Sequence, residues 1–246
     1  MLNIHEATRE FGGLIAVNKV SFAVEAGEIL GVIGPNGAGK TTFFNLVSGA
    51  IPLSSGKIIF NGTNTGGLPA YRIAHLGIGR TFQIVRPFGE LSVLENVLAG
   101  IGARFCTSFV RSLQFYQRRK YLAEARALLA RTHLIAYENE IARNLPLGLL
   151  RRLEIARALA LMPRLILLDE SFSGLSHREA GSLADLVREL RSEGMTVLLI
   201  EHNMKITMDI CDRLVVLDRG CKIAEGVPGS IANDQCVIDA YLGIDD

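Results

Sequence analysis

Hydrophobic and polar positions change rhythm twice along the chain. Residues 2–8 alternate loosely, and residues 17–24 (VNKVSFAV) alternate apolar with polar before an Ala26-Gly27 turn, which predicts strands. Residues 57–60 read as a further short strand, closed by the hairpin dipeptide Asn61-Gly62. Between them GEILGVIG is an apolar run entering a Gly-rich loop, and residues 41–48 follow with helical spacing until Gly49 stops them. The middle of the chain is different. Residues 91–101, 116–134 and 153–161 have helical spacing and little strand signal. The basic run Gln117-Arg118-Arg119-Lys120 reads as a solvated helix face, and Arg151, Arg152 and Arg157 belong with the third helix.

After Pro163 the alternation of strand and helix returns. Residues 165–168 are wholly apolar, as a parallel strand covered on both faces should be, and residues 196–200 form a second such strand. Between them Ser176-His177-Arg178-Glu179 has the form of a capping box and opens a helix that stops at Gly194. Residues 213–217 and 222–224 flank Asp218-Arg219-Gly220-Cys221 and read as a hairpin. The expected fold class is α/β: a parallel-sheet core, an antiparallel N-terminal β portion and a helical insert.

Composition narrows the function. Hydrophobic residues make up 49% of the 246, enough for a sizeable core and too many for a disordered chain. A net charge of +1 argues against a nucleic-acid coat. No apolar run approaches the roughly 18–20 residues of a membrane span, and the start MLNIHEATRE does not read as a signal peptide. Cys106, Cys211, Cys221 and Cys236 form no C-x-x-C pair and have no zinc-like spacing to histidine, so they read as reduced thiols.

The chemistry is concentrated in a few places. Gly34-Pro35-Asn36-Gly37-Ala38-Gly39-Lys40-Thr41-Thr42 fits G-x-x-x-x-G-K-[ST] between a strand and a helix. The glycines let backbone N–H groups turn inward around phosphate oxygens, and the helix start adds partial positive charge. Lys40 is expected to reach the β- and γ-phosphates, and the Thr41 hydroxyl to ligate Mg²⁺. Residues 165–168 run into Asp169-Glu170, which places two acids where open α/β sheets bind ligands. Asp169 suits support of the metal and Glu170 suits a general base for water. His202 follows the strand at 196–200 and could stand beside a γ-phosphate; Gln83 could ligate Mg²⁺ or the attacking water.

The order of Gly34–Thr42, Gln83, residues 145–152, Asp169-Glu170 and His202 resembles the nucleotide-binding subunit of an ABC transporter over essentially the whole chain. More narrowly, Phe11-Gly12-Gly13-Leu14, Gly77-Ile78-Gly79-Arg80-Thr81-Phe82-Gln83, Leu199-Ile200-Glu201-His202-Asn203-Met204 and Ala240-Tyr241-Leu242-Gly243 are similar to the ATPase subunit of branched-chain amino acid importers. The resemblance implies a P-loop NTPase fold of the ABC type, with core residues about 1–88 and 160–246 and a helical subdomain about 89–159. It implies ATP and Mg²⁺ as ligands, with Thr41, Gln83 and Asp169 at the metal. It implies Phe11 stacked on adenine, Gln83 joining the core to the helical subdomain, and His202 as the switch histidine. It also implies a second ABC ATPase subunit, identical or not, transmembrane permease subunits, an indirect periplasmic substrate-binding protein and no nucleic acid. The place implied is the cytoplasmic face of the inner membrane, peripherally. The same engine would serve urea, amides or an exported lipid.

The chain departs from the family pattern in three places. The signature loop, usually Leu-Ser-Gly-Gly-Gln, is Leu145-Pro146-Leu147-Gly148-Leu149. Gly148 keeps one amide for a γ-phosphate, but Pro146 has no hydroxyl or N–H, and Leu149 and Leu150 are apolar where glutamine-type residues are usual. Ser171 stands for the usual proline, and Ser176 for the usual Asp or Asn, where it also reads as a helix N-cap. The expectation is that this loop weakens one ATP site, or leaves a nucleotide-gated dimerisation module without useful turnover.

Overall fold

The computed structural model describes residues 1–81, 87–105 and 118–242. Its N-terminal part is a four-stranded antiparallel sheet ordered β2-β1-β4-β5, from β1 (Leu2–Phe11), β2 (Leu14–Val24), β4 (Ser55–Phe60) and β5 (Thr63–Asn64). The Asn61-Gly62 turn has φ of 46° and 81°. Two positive φ values are what a two-residue hairpin of right-handed twist requires, and Asn-Gly tolerates them.

The second sheet is ordered β10-β9-β3-β8-β7-β6. It contains β3 (Ile29–Ile33), β6 (Ile78–Arg80), β7 (Leu165–Asp169), β8 (Thr196–Ile200), β9 (Arg213–Asp218) and β10 (Cys221–Gly226). The strands from β9 to β6 are parallel, and β10 is antiparallel to β9. Every residue of β3, β7 and β8 is buried, which explains their unbroken apolar runs. Val32 pairs with Ile200, and Ile200 with Asp169, so the carboxyl ends of these three strands lie level. The chain leaves that edge as the Gly-rich loop, Glu170 and Glu201-His202 respectively, the arrangement by which open α/β sheets gather a site.

The helices are α1 (Lys40–Val47), α2 (Ala70–Leu76), α3 (Val93–Ala103), α4 (Arg118–Arg131), α5 (Leu147–Leu159), α6 (His177–Ser192), α7 (Met204–Ile210), α8 (Pro228–Ile231) and α9 (Gln235–Leu242). Three apolar clusters result. One joins the antiparallel sheet and α1 to one face of the large sheet, including Phe22, Phe43, Phe60 and Leu198. A second covers the other face with α6, including Leu183, Leu186, Val187 and Leu199. The third belongs to the helical middle, where Val97, Ile101, Leu129, Leu134 and Leu153 meet.

The capping box at Ser176 forms as its spacing predicts: Ser176 N donates to Glu179 Oε2 at 2.9 Å, and Glu179 N donates back to Ser176 Oγ at 3.4 Å. Ser92 and Glu95 form another at the start of α3. Helix α5 starts earlier than the expected 153–161, because Pro146 sits at its N-cap and fixes the chain's entry angle. Arg119 and Lys120 are exposed, in keeping with a solvated face. Cys211, Cys221 and Cys236 are free thiols; Cys106 and Gln83 lie outside the described residues.

Candidate functional site

The Gly-rich loop gets its shape from what surrounds it. Gly34 has φ 146°, and a Cβ there would stand 1.9 Å from the Leu217 carbonyl oxygen. Gly39 has φ 94°, and a Cβ there would stand 2.3 Å from the Ala16 carbonyl oxygen. Both positions exclude any other residue, on steric as well as backbone grounds. Gly39 is the N-cap of α1 and offers no side-chain cap, and the first turn carries no acid. The leading amides of α1 therefore present partial positive charge to the loop's interior. Lys40, almost wholly buried, folds its Nζ onto the carbonyls of Gly34 at 2.7 Å and Pro35 at 2.8 Å. Burial pushes the Lys40 ammonium down, and the charge of Glu170 opposes this. A cation held by two carbonyls above a helix start is a receptor for an anion.

A cavity of about 550 Å³ opens over this loop. Residues 36–42 form its floor, Glu170 and His202 one wall, and Leu14, Ile15, Ala16, Arg219 and Gly220 the rest. Gly220 N donates to Ala38 O at 3.2 Å, and Asn18 N donates to Gly220 O at 2.8 Å, so the β9–β10 turn is bonded to both loop and antiparallel sheet. That size suits a drug- or nucleotide-sized ligand. Phe11 ends β1, exposed, with the Arg9 guanidinium 4.5 Å above its ring; it is not among the residues lining the cavity.

Asp169 ends β7, 1% exposed. Its Oδ2 accepts from Arg80 Nη2 at 2.9 Å, and the same guanidinium donates to Asn45 Oδ1 and Ser48 Oγ on α1. Burial pushes the Asp169 carboxyl up, and the Arg80 guanidinium pulls it back. Asp169 Oδ1 is buried with no hydrogen-bond partner. A buried acceptor of this kind calls for a donor such as metal-bound water, and with the Thr41 hydroxyl at the cavity the set fits Mg²⁺, a hard cation that keeps its waters.

Glu170 and His202, far apart in sequence, meet: Glu170 Oε1 lies 2.9 Å from His202 Nε2. Glu170 has φ 49°, unusual for a side-chain-bearing residue, and its N–H donates to Ile200 O at 2.9 Å. The bond to β8 holds the turn that aims the carboxylate into the cavity. Beside it Glu201 is buried and accepts from Phe172 N at 2.8 Å. Burial pushes its carboxyl up to about 7. A carboxyl raised on folding costs stability as pH rises from its unfolded value near 4.5 through about 7. Glu201→Gln keeps the acceptor for Phe172 and is expected to raise stability at pH 8 by about 1–3 kcal/mol. It is also expected to flatten the fall between pH 4.5 and 7; urea unfolding at pH 5 and pH 8 checks both.

The signature-loop glycine is placed elsewhere. Gly148 lies in the first turn of α5 and does not line the cavity. The Glu179 carboxylate lies against it: a Cβ at Gly148 would stand 2.8 Å from Glu179 Oε1. The hydrogen bonds from Ser176 hold Glu179 below the usual carboxylate range. Glu179 thus stands beside the first turn of α5, whose N-cap, Pro146, makes no side-chain hydrogen bond. Leu149 and Leu150 pack against the third cluster.

The model of the family described as ABC transporter matches residues 17–173. The model described as Branched-chain amino acid ATP-binding cassette transporter matches residues 221–246. The chain is 41% identical to the high-affinity branched-chain amino acid transport ATP-binding protein BraF of Pseudomonas aeruginosa, over 99% of this chain and 98% of that protein. It is also 41% identical to LivG of Escherichia coli, with the same coverage and the same described activity. The lipopolysaccharide export system ATP-binding protein LptB of Haemophilus influenzae is 35% identical over 99% of this chain and 97% of that protein. Among solved structures, the ADP conformation of MJ1267, an ATP-binding cassette of an ABC transporter, superposes with a TM-score of 0.88 at 32% identity, covering 99% of this chain and 98% of that one. By the family match, the relatives and the shared fold, this chain belongs to the ABC transporter family of ATP-binding cassettes.

Proposed function

We propose that this chain is the ATP-binding and ATP-hydrolysing subunit that powers a membrane importer for branched-chain amino acids. One observation carries the chemistry: Lys40 and the α1 N-terminus face the Glu170–His202 pair across a single cavity. The cargo rests on the match at residues 221–246 and on the names of the 41%-identical relatives.

In this reading the amides of Gly34, Pro35's following residues Asn36, Gly37, Ala38 and Gly39, and those of Lys40, Thr41 and Thr42, cradle the phosphates. Lys40 leaves its two carbonyls to meet the β- and γ-phosphates. Phe11 closes on adenine from the end of the β1–β2 hairpin. Thr41 and Asp169, joined by Gln83, would hold Mg²⁺, which when bound neutralises charge on the phosphate oxygens. Glu170 accepts the proton of the water that attacks the γ-phosphorus, and His202 orients that carboxylate and hydrogen-bonds the phosphoryl group. Gly148 serves the ATP of a second subunit. The separate apolar cluster of α3–α5 supports a helical subdomain at about 89–159, set on a core of about 1–88 and 160–246.

Permease subunits receive the work through contacts that involve Gln83, and a periplasmic binding protein delivers cargo to them. The chain sits peripherally at the cytoplasmic face, as the ATPase of a transporter would; among the described residues no helix is long and apolar enough to cross a membrane. A second reading, a nucleotide-gated module with impaired hydrolysis, is favoured by the Glu179 carboxylate that lies against the Gly148 backbone.

One experiment separates the readings: ATP turnover of the chain assembled with its permeases, with and without leucine-loaded binding protein. The importer reading expects turnover that rises severalfold with the loaded protein. Turnover indifferent to leucine but raised by another cargo moves the chain to that cargo. Absence of turnover leaves the nucleotide-gated module. In the same assay Leu149→Gln with Leu150→Gln is expected to raise turnover by roughly tenfold, part of the about 10²–10³ that a transition-state donor carries. An unchanged rate removes the idea of a weakened signature loop.

A further inference from the structure

The parallel ladder between β6 and β7 ends in a side chain. Thr81 N donates to Leu167 O at 2.9 Å. The next N–H of β7 on that side, that of Asp169, donates to Thr81 Oγ1 at 3.3 Å. The Thr81 hydroxyl spends its own proton on Leu167 O at 3.4 Å. A hydroxyl has one proton and two lone pairs, so one lone pair of Thr81 remains. Ser171 Oγ stands 3.1 Å from it. The Ser171 hydroxyl therefore donates to Thr81, whose hydrogen-bonding capacity is then full. Both side chains are buried. A hydroxyl at that depth is costly without a partner, which makes the pair a fixed contact.

This contact bears on the neighbouring acid. The turn after β7 is tied alternately to two strand ends. Glu170 N donates to Ile200 O at 2.9 Å and Phe172 N to Glu201 Oε1 at 2.8 Å, both at the end of β8. Asp169 N and the Ser171 hydroxyl go instead to Thr81, just past β6. Glu170, with its φ of 49°, sits inside these four ties, which over-determine a conformation that is otherwise unfavourable. Three of the four are made by backbone N–H groups, which any residue but proline supplies. The fourth needs the serine side chain. A proline at 171 would stiffen the turn by its ring; here a buried hydrogen bond does so.

We propose that Ser171 is a positioning residue for Glu170: its hydroxyl, anchored on Thr81, keeps the turn in the conformation that aims the carboxylate into the cavity. The inference rests on the reading of Glu170 as the general base. Ser171 is not among the residues lining the cavity, so it acts through its neighbour and not on the nucleotide.

The test is Ser171→Ala, made in the native chain and in Glu170→Gln, each assembled with the permeases. ATP turnover is followed by release of labelled phosphate. In the native background Ser171→Ala is expected to lower kcat by about two- to tenfold, the rate equivalent of one net hydrogen bond, with KM changed by less than about twofold. In the Glu170→Gln background it is expected to change nothing, because no base is left to aim. Simple loosening of the fold would lower both backgrounds alike, and an equal fall in both overturns the proposal. An unchanged kcat in the native background overturns it too, while a slow Glu170→Gln leaves the base reading intact. Native turnover in Glu170→Gln itself removes the base reading, and this inference with it. Should Ser171→Ala fail to fold, the nearly isosteric Thr81→Val is measured in the same two backgrounds. A fall confined to the native background supports the proposal, and any other result overturns it.

Discussion

Glu170→Gln is expected to bind ATP as well as the native chain or better, and to hydrolyse it about 10²–10⁴ times more slowly, the range a general base contributes. The amide is nearly isosteric and can still bond His202, so the 2.9 Å contact survives. It cannot take a proton. The carboxylate also faces Lys40 across the cavity, where its charge opposes the downward push of burial on the ammonium. Removing it leaves the triphosphate with one less anion to meet. Calorimetry with Mg²⁺-ATP and a phosphate-release assay give the two halves. Full turnover in the variant would take the base role away from Glu170.

Arg80→Ala is expected to lower stability by about 3–5 kcal/mol, as removal of one partner from a buried ion pair does. The pair is 11% and 2% exposed, so water cannot replace the lost guanidinium. The same change frees Asn45 and Ser48, which join β6 to α1. For a chain of this length the loss corresponds to a fall of about 10 °C or more in melting temperature. Its pH dependence has a definite sign. Burial already raises the Asp169 carboxyl in the folded state, and without Arg80 it rises further. A carboxyl raised on folding costs stability above its unfolded value, and the cost disappears as pH falls below it. The gap between native chain and variant should therefore be wide at pH 8 and narrower at pH 4. Arg80→Lys, keeping charge without the fork that reaches three partners, should fall between. A gap under about 1 kcal/mol at pH 8 would mean that the pair is not the support of Asp169 it looks to be.

These two residues differ in how far the sequence reveals them. Glu170 is visible because its signal is local: four apolar residues and two acids specify a strand end without reference to anything else. The loop from Gly34 to Thr42 is visible for the same reason, as is His202 after its strand. Arg80 carries no such mark. It becomes the partner of Asp169 only because β6 pairs in parallel with β7, placing Arg80 level with Leu167. Strand β6 itself is three residues with a central glycine, whose missing Cβ leaves Pro163 room at 3.2 Å. No periodicity can be read from so short an element. Helix α7 is hidden differently: Ile206, Thr207 and Ile210 are β-branched, and its cap, Asn203, bonds Ile206 N where the local pattern suggests loop. The outer wall of the cavity, Leu14 to Ala16 with Arg219 and Gly220, joins residues from opposite ends of the chain. The contact of Glu179 with Gly148 is likewise one that only folding makes.

The place of β3 between β8 and β9 bears on how the molecule is born. Gly34 finds its limits at Leu217, and Ala38 its bond at Gly220, so both supports are made long after the loop itself. At about 5–20 residues per second, the loop waits on the order of ten seconds for them. A nascent or truncated chain carries the motif in full but has no walls to shape it. The power to seize a nucleotide therefore arrives only once β9 and the turn after it have been made.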